Sequence, residues 1–177
     1  MNRFVLVSLS VAAGLVGCGE HSSSISLARG HLTVYRHEIR IEHAGAPDAR
    51  ITEGGVLRIG SEEVPLSPEQ KATAAAYYAA AMAIPKHGVE TGKAGAEVGA
   101  AAVKEVAAGL AKGDTSGIGP KIEAKADGVR AAAAKICDDL AAVRTAQESL
   151  AATLEAFRPY AVVTPADVGD CSSDLKK

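Results

Sequence analysis

A heptad pattern near the C-terminus limits the possible folds of this chain more than any other feature. Apolar residues recur every seven positions, and a second, mostly apolar set lies four positions after the first. The first set is Ile122, Val129, Ile136, Val143, Leu150 and Phe157, and the second is Ala126, Ala133, Leu140, Gln147 and Leu154. Pro120 suits the start of a helix and Pro159 its end. The pattern predicts one helix of about 38 residues, or about 57 Å at 1.5 Å per residue.

A helix of this length needs a partner for its apolar seam. Residues 88–112 form a second helical candidate that is rich in Gly and Ala, and Gly95 and Gly99 have the spacing that allows close contact with another helix. We expect this segment to fold back on the long helix as an antiparallel hairpin. The alternative is a second copy of the protein, giving a homodimer through the long helix. Membrane insertion is disfavoured because charged residues such as Lys93 and Glu97 interrupt the apolar run.

A third helix is predicted before the Gly-rich segment. Ser67 can cap the first free amides, Pro68 fits the first helical position, and Gln70 can complete a capping box. We expect this helix to run from Pro68 to about Ala83. Pro85 should end it, since the residue before a proline is disfavoured in the α region.

Residues 25–66 alternate apolar and polar side chains in short runs, which is typical of strands with one face exposed to water. Glycines at 54, 55 and 60 mark the turns. The predicted fold class is α+β, in a single domain over 25–177. A small N-terminal antiparallel β-meander over 25–66 precedes three helices over 68–158, the last long, heptad-patterned and packed in an antiparallel helical hairpin, and the C-terminal tail covers 159–177.

The N-terminus resembles a bacterial lipoprotein signal. Asn2 and Arg3 give a positive start, an apolar stretch follows, and small residues precede Cys18. The stretch is shorter than the ~20 residues that span a bilayer. We therefore expect a signal peptide over 1–17, a lipid on Cys18 and a tether over 18–24. Gly19, rather than Asp, favours the outer membrane facing the periplasm; the alternative is an ordinary cleaved signal.

Export would place the other two cysteines, Cys137 and Cys171, in an oxidising compartment. In an oxidising compartment an even pair favours a disulfide, with free or metal-binding thiols as the alternative. A closed loop of about 35 residues is worth at most about 3.8 kcal/mol in the chain-entropy model. To bring the cysteines together, the tail after Pro159 should run back along the long helix, mostly extended.

Residues that could support catalysis or metal binding are few. His31, His37 and His43 recur every six positions and would share one face if a single strand continued unbroken, with Glu38 and Glu42 completing a metal site. A turn after Glu42 makes these weak candidates, and we expect neither a metal nor another cofactor. Asp138 and Asp139 should lie on a solvated helix face. The motifs of phosphate loops, serine hydrolases, zinc proteases and thioredoxins are absent.

The order of elements over residues 32–85 resembles a known family. Strands lead into the sequence GGVLRIGSEEVPLSPEQ, followed by a helix that contains Tyr77 and Tyr78 and the dipeptide IP. This order is similar to the YggN-like family of proteobacterial envelope proteins, which have a domain of unknown function. The resemblance extends over 25–160, but Gly60, Ser61 and Glu62 replace the Asn-Gly-Lys typical of the family. The resemblance implies a fold and a location in the cell envelope, but it does not imply any particular activity.

These features together suggest a non-enzymatic lipoprotein of the cell envelope that acts as a structural or protein-interaction module. A formal charge of −2 gives no basic surface for nucleic acid. The alternatives are a periplasmic carrier that holds a lipid or another apolar ligand between sheet and helices, and an enzyme whose site is assembled from scattered carboxylates.

Overall fold

The computed structural model describes residues 22–27, 29–114 and 117–175. The predicted signal peptide and Cys18 lie outside these ranges. The strands are β1 (Ser23–Leu27), β2 (Gly30–Val34), β3 (Glu38–Glu42), β4 (Ala49–Thr52), β5 (Leu57–Ile59) and β6 (Glu62–Glu63). The helices are α1 (Pro68–Lys112), α2 (Ile118–Thr153), a 3-10 helix (Glu155–Tyr160) and α3 (Pro165–Asp174). The predicted α+β class is confirmed.

The six strands form one antiparallel sheet in chain order, which confirms the N-terminal meander. The sheet begins two residues before the predicted boundary, because Ser23 and Ser24 of the expected tether pair with β2 and the Ser24 hydroxyl lies 3.0 Å from that of Thr33. At the other edge β6 stops before Pro65, which has no amide hydrogen to donate to a ladder.

One face of the sheet is apolar and is buried over its central strands. In register across the strands, Leu32 lies opposite Ile41 and Ile39 opposite Ile51, and all four side chains are buried. On the polar face Arg40, Arg50 and Arg58 lie side by side on neighbouring strands. Like charges in such positions repel. Each arginine therefore lies near a carboxylate: Arg40 is 3.9 Å from Asp48, Arg50 is 3.9 Å from Glu38 and Arg58 is 3.7 Å from Glu63.

The core lies between the apolar face of the sheet and the first half of α1, the second half of α2 and the segment after it. Tyr77 of α1 meets Phe157 edge to face, with ring centroids 6.0 Å apart. Complete burial raises the pKa of Tyr77, and its hydroxyl finds no hydrogen-bond partner among the described residues. Two other tyrosines connect layers: the Tyr78 hydroxyl donates to the Arg36 carbonyl at 3.1 Å and the Tyr160 hydroxyl to the Pro47 carbonyl at 2.5 Å.

The prediction that Pro85 ends a helix is wrong. Pro68 to Lys112 forms one helix of 45 residues, with Pro85 inside it, so the predicted helices over 68–83 and 88–112 are continuous. The start is as expected, since Ser67 and Gln70 form the capping box. A proline within a helix costs roughly 3 kcal/mol because one hydrogen bond is lost. Packing offsets this cost, because Ile84 before the proline is buried in the core and His87 after it contacts α2.

The predicted heptad seam is confirmed in α2 and just beyond it. All residues of both heptad sets are buried or half-buried, with the most deeply buried ones from Leu140 onward. The helix itself ends at Thr153, earlier than expected, because Leu154 is extended and a 3-10 helix follows. Phe157 nevertheless stays fully buried, since the 3-10 helix packs it against Tyr77.

The helices α1 and α2 contact each other extensively. As the residue numbers increase along α1, the numbers of the contacting residues in α2 decrease. The pairs that show this direction are Gln70 Nε2 with the Thr153 carbonyl at 2.9 Å, His87 Nδ1 with Asp139 Oδ2 at 2.5 Å, and Glu90 Oε2 with Lys135 Nζ at 3.7 Å. The two helices are therefore antiparallel over this part of their length.

The prediction of a mostly extended tail is wrong. After the 3-10 helix, residues 161–164 are irregular and α3 follows, with Thr164 and Asp167 forming a second capping box. Gln147, the polar member of the heptad, explains the path of the irregular segment. Its buried side-chain amide donates to the Val163 carbonyl and accepts from the Val163 amide, both at 2.8 Å. These bonds satisfy backbone groups that burial would otherwise leave without partners.

Replacing Gly55 with Ala should destabilise the protein, whereas replacing Gly54 should not. Gly55 has a φ of +74°, and a Cβ added there would lie 2.2 Å from the Lys71 carbonyl oxygen of α1. We expect Gly55→Ala to lower the free energy of unfolding by at least about 1–2 kcal/mol from the left-handed backbone alone. A Cβ at Gly54 meets nothing within 4 Å, so Gly54→Ala should change it by less than about 0.5 kcal/mol. Urea unfolding of both variants measures this, and equal losses would contradict the close approach of turn and helix.

Candidate interaction surface

Cys137 and Cys171 are joined by a disulfide that connects α2 to α3, with Cα atoms 5.7 Å apart. Cys137 is buried, and Cys171 packs against the core together with Val168. The pair thus holds a short helix that has no fully buried residue of its own. The sequence predicted the pairing correctly, although α3 reaches Cys137 as a helix and not as an extended tail.

The three candidate histidines are not brought together. His31 lies in β2 and His43 just after β3, at one end of this hairpin, whereas His37 lies in the turn at the other end. The turn at 35–37 breaks the continuous strand on which a shared face depended. Within the described residues no group of three His, Cys, Asp or Glu side chains has the geometry to hold a metal ion.

Asp139 does not lie on a solvated helix face, as the sequence suggested. Its side chain is 15% exposed and lies 2.5 Å from the half-buried ring of His87, across the contact between α1 and α2. Asp138, the preceding residue, is exposed as expected. This pair, together with Glu90 and Lys135, fixes the helices to each other immediately after Pro85.

The largest exposed apolar side chains of the described residues lie on the second half of α1. Val89 is 59% exposed, Val103 72%, Val106 43% and Leu110 70%. Between Val89 and Val103 the same line of the helix holds small, exposed residues. We call the full set the α1 stripe: Val89, Gly92, Ala96, Gly99, Val103, Val106 and Leu110.

The α1 stripe has its own heptad spacing. Its members alternate three and four positions apart, as do the a and d positions of a coiled coil. Several half-buried residues of this half, among them Thr91, Val98 and Glu105, lie on the opposite side of the helix. That opposite side faces α2, because a groove between the two helices is lined by Val98 together with Val129 and Ala133. The second half of α1 therefore has two seams, one half-buried against α2 and one exposed.

The glycines of α1 do not serve the purpose that the sequence suggested. We expected Gly95 and Gly99 to allow close contact with the long helix. A Cβ added at Gly92, Gly95 or Gly99 would meet nothing within 4 Å, so packing within the chain does not require a glycine at these positions. The spacing of the α1 stripe is visible in the sequence. Because the heptad of α2 is strong, however, we expected all the small residues of the Gly-rich segment to contact the long helix.

Two further features bear on the surface of the helices. Among the described residues, no helix combines the length and the apolar character that crossing a membrane requires. A groove of about 360 Å³ lies between α1, α2 and the end of α3, lined mainly by small and apolar residues together with Arg130 and Asp174. It lies within the helical part of the molecule and not between sheet and helices.

Removing the disulfide should loosen α3 and lower stability. We expect Cys137→Ala with Cys171→Ala to reduce the free energy of unfolding by at most about 3.8 kcal/mol, the chain-entropy value for a loop of about 35 residues. Hydrogen exchange should quicken more in α3 than near Tyr77, since α3 has no buried residue of its own whereas Tyr77 lies in the core. The unmutated protein under reducing conditions is the matched control. Two alkylatable thiols at these positions in the native protein would contradict the bond.

Comparison of the chain with family models, with curated proteins and with solved structures finds no match. The resemblance to the YggN-like family stays a prediction from the residues over 32–85.

Proposed function

We propose that this protein is a non-enzymatic lipoprotein of the bacterial cell envelope, anchored in the outer membrane through Cys18, and that it binds a protein partner through the α1 stripe. The observation that supports the binding role is the exposed stripe itself. Contiguous apolar surface of this kind is uncommon on a monomeric soluble protein and marks interaction sites.

The division of α1 into two halves supports the same role. Its buried residues lie from Ala74 to Ile84, apart from Gly109 near the end, and these residues complete the core on the sheet. The second half extends along α2 as an antiparallel hairpin whose side chains are at most half-buried up to Ala108. At 1.5 Å per residue the stripe from Val89 to Leu110 is about 33 Å long. The first half supports the structure, and the second presents a surface.

The location rests on the N-terminal sequence. A positive start, an apolar stretch of signal-peptide length and a cysteine after small residues favour processing at Cys18 and lipid attachment. The disulfide between Cys137 and Cys171 agrees with an oxidising compartment such as the periplasm. Because β1 begins at Ser23, only a few residues would separate the lipid from the sheet, and the protein would be held close to the membrane surface.

A second candidate function is the binding of an apolar ligand. The groove of about 360 Å³ between the helices, with Val98, Val129 and Leu175 among its lining residues, favours this function. Ligand sites of proteins typically have volumes from about 300 Å³ and an apolar lining. Lipid that copurifies with the protein and is lost on Val129→Arg would favour this role over partner binding.

The location is tested by Cys18→Ser. This change removes the only thiol that the proposed signal offers for lipid attachment, so the protein should move from the membrane pellet to the soluble periplasmic fraction. Labelled palmitate should be incorporated into the unmutated protein but not into the variant. Continued sedimentation of the variant with membranes would contradict lipid anchoring.

The binding role is tested by crosslinking in living cells. A photoreactive residue at Val103 should form adducts with a protein, because this position is the most exposed large apolar one of the stripe. The same residue at Ala131, an exposed position of α2 outside the stripe, is the control and should form few adducts. Equal, weak labelling at both positions would overturn the binding role.

A further inference from the structure

We propose that the partner of the α1 stripe is the same stripe of a second copy of this protein, in an antiparallel pair. This inference rests on the binding role proposed above and names the partner. It is a different contact from the homodimer through α2 that the sequence suggested, since α1 of the same chain packs along the heptad seam of α2, whose residues are all buried or half-buried.

The glycines of the stripe give the first argument. A glycine within a helix costs roughly 0.8–1 kcal/mol relative to alanine. Gly92 and Gly99 are seven residues apart and exposed, and a Cβ at either position would have open space around it. Packing among the residues that the structure describes therefore does not require a glycine at either position. A helix that approaches from outside would contact this line of α1, and small residues there let two backbones come close.

The order of residue sizes along the stripe gives the second argument. In antiparallel helix pairs, an a position of one helix packs beside a d position of the other. If the two-fold axis passes at the height of Ala101, each such layer joins a small residue to a larger one. Gly92 then faces Leu110 of the second copy, Ala96 faces Val106, and Gly99 faces Val103. The two-fold symmetry repeats each of these layers, so the small residues of one stripe face the larger residues of the other and the reverse.

A parallel pair lacks this complementarity. It would place Gly92 beside Gly92 and Gly99 beside Gly99, but Val103 beside Val103 and Leu110 beside Leu110, so the helices could not keep a constant distance.

The composition of the stripe favours a second helix over a lipid surface. Helices that lie on membranes typically present Trp, Phe or Leu on the apolar face and Lys or Arg on the polar face. The stripe consists mainly of Val, Gly and Ala, and the charges beside it have both signs, as Lys93, Glu97 and Lys104 show. With about three heptads, the contact belongs to the smaller class of interfaces, below about 1,200 Å² in total, so a reversible dimer is expected.

Sedimentation of the full chain carrying Cys18→Ser, over micromolar concentrations, tests the pair. We expect a reversible dimer, and Gly99→Glu should weaken it at least about tenfold because a carboxylate would be buried against Val103 of the second copy. The variant should fold, since Gly99 has open space in the single chain and Glu is a better helix former. Ala131→Glu, which adds the same charge on the exposed side of α2, is the control and should leave the dimer unchanged.

Cysteine pairing tests the register independently of stability. In the same Cys18→Ser background, a chain with Gly99→Cys should form a disulfide with a differently tagged chain carrying Val103→Cys when the two are mixed and oxidised. Each variant alone should link to itself much less, and Ala131→Cys should link to neither. Efficient self-linking of both single variants would show a parallel pair and overturn the register.

The results of these experiments distinguish failure of the proposed dimer from failure of the proposed binding role. A chain that stays monomeric at all concentrations, while Val103 captures a distinct envelope protein in cells, overturns self-association and leaves the binding role intact. A monomer whose Val103 captures nothing overturns both. Adducts of Val103 that contain only a second copy of the chain, and that disappear with Gly99→Glu, support the pair.

Discussion

The structure depends on the continuity of α1 through Pro85. The first half of this helix completes the core on the sheet, and the second half lies against α2. A break at Pro85 would separate these two parts. A proline within a helix removes a hydrogen bond, so local preference alone favours such a break. The contacts on both sides of the proline decide otherwise: Ile84 is buried in the core, and the ring of His87 meets Asp139 on α2.

The part of the chain after α2 is held by two bonds of different kinds. The amide of Gln147 pairs with both backbone groups of Val163, and the disulfide joins Cys171 to Cys137. The first interaction is internal to the core, where an unpaired amide would be costly. The second acts on a helix whose residues are at most half-buried. The first bond thus satisfies polar groups inside the core, and the second holds a helix that has no buried residue of its own.

Sequence reasoning was most successful where a repeated pattern and its burial coincide. The alternation over 25–66 predicted the meander, the heptad over 122–157 predicted the seam of α2, and the cysteine count predicted the disulfide. It failed at Pro85 and in the tail, because long-range packing decided those elements. Local rules describe the preference of a segment by itself, and neither the contact of His87 with Asp139 nor the bonds of Gln147 to Val163 can be read from neighbouring residues.

The exposed stripe was missed for a different reason. A heptad pattern predicts that a helix has a partner but does not say which face of that partner is used, and the sequence contains two such patterns with one obvious pairing. Small residues are ambiguous in the same way, since Gly95 and Gly99 could face either α2 or the outside. The structure separates the two patterns, because the face of Val98 is half-buried against α2 and that of Val103 is exposed. When only two helices pack together, one helix can pack against the apolar face of its partner and still have a second apolar face that is exposed. The composition of that seam, glycine where the chain itself needs none, is what makes contact with another helix a better explanation than chance exposure.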